Sequence, residues 1–75
     1  MNTMELFHYN VIKSLENQLK ETVAVFLERK QWLKANGFNR EIEHYENKIV
    51  ELQNSITEEI KAMEWSKLHF GKKSA

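Results

Sequence analysis

This sequence predicts an all-α fold, an antiparallel hairpin of two long helices, and three observations point there. Asn36-Gly37 is the strong helix break in the middle of a chain with two glycines and no proline. An apolar stripe with helical period runs away from that break in both directions. Composition favours helix throughout: glutamate, lysine, leucine and glutamine are frequent, and aspartate is absent.

The first helix is predicted over about residues 3–35. Asn2 or Thr3 can cap its free amides, and Glu5 stands where a capping-box acid reaches back to Asn2. Its stripe, Ile12, Leu15, Leu19, Thr22, Phe26, Arg29 and Leu33, advances in steps of three and four. With Ile12, Leu19, Phe26 and Leu33 as heptad position a, position d holds His8, Leu15, Thr22 and Arg29. The a line is apolar and the d line is mixed. Gly37 suits the left-handed residue that closes a Schellman motif, with Phe38 contacting Leu33, and Lys34 suits the negative end of the helix dipole.

The turn spans residues 36–39, and Asn39 is the expected cap of a second helix over about 40–70. Position a there is Ile42, Ile49, Ile56, Met63 and Phe70; position d is Tyr45, Leu52, Glu59 and Ser66. Residues 71–75 form a tail after Gly71, so residues 1–75 make a single domain. A tight turn forces antiparallel packing, with facing residues whose numbers add to about 75. Ile12 then lies level with Met63, Leu19 with Ile56, Phe26 with Ile49 and Leu33 with Ile42. The polar d positions pair as Leu15 with Glu59, Arg29 with Tyr45 and His8 with Ser66, at a wet edge.

Two rods bury little. A chain this short hides only about 60% of its unfolded surface, and small domains add disulfides, metals or oligomerisation. There is no cysteine, which excludes disulfides and thiolate metal sites. The first helix also carries apolar residues beside its main stripe: Met4, Val11, Val25 and Trp32 on one side, Tyr9 and Val23 on the other. That arc is wider than one helix can cover. A homodimer forming a four-helix bundle is therefore expected, with Val11, Val25, Trp32 and Val23 at the dimer interface.

Charge balances, with 11 basic and 11 acidic residues. Nucleic acid is possible but disfavoured as a partner, because phosphate contacts need clustered cations and Glu16, Glu21 and Glu28 interleave with Lys13, Lys20, Lys30 and Lys34. No run approaches the roughly 18 apolar residues of a membrane span. The opening Met1-Asn2-Thr3-Met4-Glu5 lacks a basic segment followed by an apolar one, so no signal peptide and no membrane are expected, and the plain reading is cytoplasmic.

Candidate chemistry is sparse. Glu41 and His44 have the Glu-x-x-His spacing of di-iron bundles, but Ile42 and Tyr45 hold the inward positions beside them. His8 and His69 fall near one another at the open end, where they suggest a zinc site or a pH-sensitive latch without a third ligand beyond Glu5. No serine has a base placed to activate it, except Ser66 beside those histidines. No catalytic, cofactor or metal residue is assigned, and an enzyme is not expected.

The open end gathers Leu6, Phe7, Trp65, Leu68 and Phe70 with Lys67, Lys72 and Lys73. An apolar centre with a basic rim marks a surface for a larger protein that is apolar and acidic. The flank bearing Glu43, Glu46, Val50 and Glu64 is the second candidate. The function expected is a non-enzymatic interaction module that binds and regulates or inhibits a larger protein, in the style of small accessory factors of bacteria and their phages. The alternatives are an RNA-binding hairpin dimer and a helical bundle that sequesters a small molecule.

Overall fold

The first helix begins where a side chain replaces a missing backbone acceptor. Asn2 has extended backbone, and its Oδ1 accepts the Glu5 amide at 2.8 Å. Its Nδ2 donates to Glu5 Oε1 at 2.9 Å, so the acid reaches back as expected. The computed structural model describes residues 2–70 and contains two helices, α1 (Thr3–Ala35) and α2 (Asn39–Phe70), packed against each other as a hairpin. Nothing is described beyond Phe70, so the expected tail lies outside the described residues.

α1 stops by the predicted motif. Gly37 has φ +75°, its amide donates to the Lys34 carbonyl at 3.2 Å, and the Phe38 amide donates to the Leu33 carbonyl at 2.9 Å. These are the two bonds of a Schellman end. The aromatic contact goes one residue further back than expected: Phe38 stacks on Trp32 with centroids 5.4 Å apart, while Leu33 itself is buried in the core at 2% exposure. α2 begins at Asn39, one residue earlier than expected, because the Phe38 carbonyl accepts the Ile42 amide at 3.3 Å.

The packing departs from the expected layers in a systematic way. Phe26, 6% exposed, stacks on Tyr45 at 5.3 Å, where Ile49 was expected level with it. His8 Nδ1 meets Glu59 Oε1, one heptad nearer the turn than the expected level with Ser66. Arg29 does lie beside Tyr45, donating from Nη1 to its hydroxyl at 3.1 Å. The buried residues are Ile12, Phe26 and Leu33 from position a of α1, and Leu52 and Ser66 from position d of α2. Ile42, Ile49, Ile56 and Met63 are only half-buried. The cause is chain direction. Side chains lean toward their own helix N-terminus, so in an antiparallel pair they lean opposite ways. A knob at a then nests beside a d residue, and a d residue of α2 such as Ser66 goes into the core rather than to a wet edge.

That exchange has a cost. Ser66 is 1% exposed and its Oγ has no hydrogen-bond partner among the described residues, which costs about 1–3 kcal/mol. Thr22 and Thr57 avoid this penalty by donating to the carbonyls four residues back, Gln18 at 2.7 Å and Gln53 at 3.0 Å.

The result is a rod of 61 × 14 × 10 Å with a radius of gyration of 17.2 Å. A compact domain of this length has a radius near 11 Å. The accessible surface is 6085 Å², against about 4,900 Å² for a compact chain of the same mass. The hairpin exposes far more surface than its mass requires.

Candidate interaction surface

At 100° per residue, heptad positions c and g of both helices line one side of the hairpin, and b and e line the other. An open groove of about 490 Å³ marks the first side, between Glu21, Thr22 and Val25 of α1 and His44, Tyr45, Lys48 and Glu51 of α2. The back of the rod, position f, is polar: Asn10, Asn17 and Gln31 on α1, Arg40, Asn47, Asn54 and Lys61 on α2. Leu68 is the large apolar exception on that back.

The c/g flank carries aromatic pairs toward both ends. At the open end, Phe7 and Trp65 hold c positions at nearly equal height, 58% and 55% exposed. The Trp65 ring stacks on His69 at 4.1 Å, and Phe7 packs edge-on to His8 at 5.5 Å. Toward the turn, Trp32 is 61% exposed and forms a flat platform with Phe38. Between them the flank is acidic, with Glu21, Glu28, Glu41, Glu51 and Glu58 against Lys48.

The b/e flank differs in kind. Along α1 it carries Lys13, Lys20, Lys30 and Lys34, interrupted by Glu16; along α2 it carries Glu43, Glu46 and Glu64, with Lys67 at the end. Tyr9 and Leu27 interrupt the first row, Val50 and Ile60 interrupt the second, and all four are exposed. Lys13 Nζ lies 5.5 Å from the Tyr9 ring and Lys30 Nζ 5.5 Å from the Phe26 ring. Zero net charge therefore conceals one acidic flank and one flank split lengthwise into a basic and an acidic rail.

The residues expected at the open end are not brought into one patch. Phe7 and Trp65 share the c/g flank. Leu6 lies 100° round α1 from Phe7, on the b/e flank. Leu68 is on the back of α2, and Lys67, 200° from Trp65, is on the opposite flank. The side chain of Phe70 and both Lys72 and Lys73 lie outside the described residues. Beside Trp65 the described neighbours are His69, stacked on its ring, and Lys61, one turn back along α2; Glu58 lies two turns away on the same flank. Of the residues expected at a dimer contact, Val11, Val25 and Trp32 lie on the c/g flank and Val23 on the other. The Trp32–Phe38 stack and the groove were not anticipated. Sorting charges by heptad position, instead of summing them, finds the groove in the sequence.

His8 and His69 have different neighbours, Glu59 and Trp65, and no group of three metal-ligating side chains occurs among the described residues. No described helix is long and apolar enough to cross a membrane. No protein-family model, curated protein or solved structure matches the chain.

Proposed function

We propose that this chain is a non-enzymatic interaction module: two hairpins pair into a four-helix bundle, and the assembly binds and regulates a larger protein. The observation that carries this reading is the run of exposed aromatic side chains on one flank, Phe7 and Trp65 at the open end and Trp32 with Phe38 toward the turn. Aromatic side chains anchor interfaces because they bury large rigid area at little entropic cost. The excess surface supports assembly: exposed Leu27, Val50 and Ile60 occupy the other flank, so the rod has apolar area to cover on two sides. The glutamates between the aromatic pairs fit a partner surface that is apolar and basic.

The partner test uses the double variant Phe7→Ala/Trp65→Ala. Both side chains project from exposed helix positions, so helicity by circular dichroism and the native mass are expected to persist. A protein retained by the immobilised wild-type chain from its source cell is expected to bind the double variant at least about tenfold more weakly, since truncating an anchor residue costs about 2 kcal/mol or more. Wild-type affinity in the double variant would place the partner site elsewhere. Steeply salt-dependent binding to RNA or DNA would instead favour a nucleic-acid binder.

A further inference from the structure

We propose that the second copy of this chain seats on the b/e flank with its two-fold axis along the rod, so that both turns lie at one end and both open ends at the other. This rests on the pairing proposed above and assigns its face and direction. It follows from where the charges lie.

Two rods can stack face to face about a two-fold in two ways. An axis along the rod lays α1 of one copy over α2 of the other and keeps heights unchanged. An axis across the rod lays α1 over α1 and α2 over α2. The b/e flank distinguishes them. Its basic rail, Lys13, Lys20, Lys30 and Lys34, runs along α1, and its acidic rail, Glu43, Glu46 and Glu64, runs along α2. An axis across the rod sets lysine rail on lysine rail. An axis along it sets lysine rail on glutamate rail, which is the complementary arrangement.

Heights are compatible with the axis along the rod. The Phe26–Tyr45 stack and the Leu33–Phe38 hydrogen bond fix which residues of α1 and α2 lie level. Because the axis preserves height, the same relation holds between copies. Tyr9 then faces the partner's Ile60, Val23 the partner's Val50, and Lys30 the partner's Glu43. Each of these pairs is offset in height by about two residues, or ~3 Å, and Lys20 and Leu27 come nearer to level with the partner's Val50 and the partner's Glu43 than Val23 and Lys30 do. The c/g flank fails the same comparison. Stacked along the same axis, it sets Glu21 level with the partner's Glu51, like charges on the face being closed. Pairing through the b/e flank also leaves Phe7, Trp32, Trp65 and the groove exposed for a different protein.

The test is a charge swap between molecules. Lys30→Glu and Glu43→Lys each place two like-charge contacts in their own homodimer, and each is expected to dimerise about tenfold more weakly than wild type. Mixed together, they form a heterodimer in which both contacts are again opposite in sign, and the dimer mass is expected to return. A contact within one chain is not repaired by mixing, so rescue reports the intermolecular pair alone. Dimers of unchanged affinity, or no rescue on mixing, would overturn this flank assignment while leaving the pairing itself intact; a wild-type chain that stays monomeric would overturn both.

Direction is read independently. The chain has no cysteine, so Arg40→Cys on the polar back near the turn takes a single spin label. The expected label separation is less than half the 61 Å rod, and a separation near its full length would overturn the axis.

Discussion

Phe26→Ala is expected to remove about 3–5 kcal/mol of stability, the usual cost of emptying a buried phenylalanine site. Phe26 lies in the half of the seam nearer the turn, 6% exposed, stacked on Tyr45 at 5.3 Å with the Lys30 Nζ 5.5 Å from its ring. Two helices on a rod cannot collapse around such a gap as a globular core does. Domains have about 5–15 kcal/mol in total, and one this small has less to lose. Circular dichroism should show a melting temperature lowered by more than ten degrees, or no cooperative transition. A melt within a few degrees of wild type would mean that the seam is not where Phe26 lies.

Leu52→Ala is the second large effect, about 2–5 kcal/mol, and it should exceed that of Ile49→Ala. Ile49 looks the stronger core residue, a β-branched side chain in an unbroken isoleucine line. In the hairpin Leu52 is buried at 5% exposure and Ile49 is half-buried. Comparing the two variants by urea denaturation therefore tests which line of α2 faces α1. Equal losses, or a larger loss at Ile49, would favour layers that match position a with position a.

This pair shows what the sequence discloses. Helix ends were legible because they are local: the Asn2–Glu5 cap and the Gly37 stop depend on side chains within a few residues. Hairpin topology was legible because one break separates two long stripes. Layer pairing was not, because it depends on how side chains lean across an antiparallel seam, and a heptad label carries no direction. Heptad labels alone therefore put the isoleucine line inside and Ser66, a buried hydroxyl, at a wet edge. The candidate site divides similarly. Exposed Phe7 and Trp65 were found as residues outside the stripe. Leu6, Leu68 and Lys67 point away from the flank of Phe7 and Trp65, since neighbours in sequence lie 100° apart on a helix. The acidic flank is hidden by a neutral total.

The mass of the chain in solution decides whether the hairpin stands alone. A hairpin with this much uncovered apolar surface is expected to pair with a second copy. Light scattering at micromolar concentration is expected to give twice the 9.0 kDa of one chain, with the melting temperature rising as concentration rises. A stable species of 9.0 kDa, with a melting temperature independent of concentration, would contradict it.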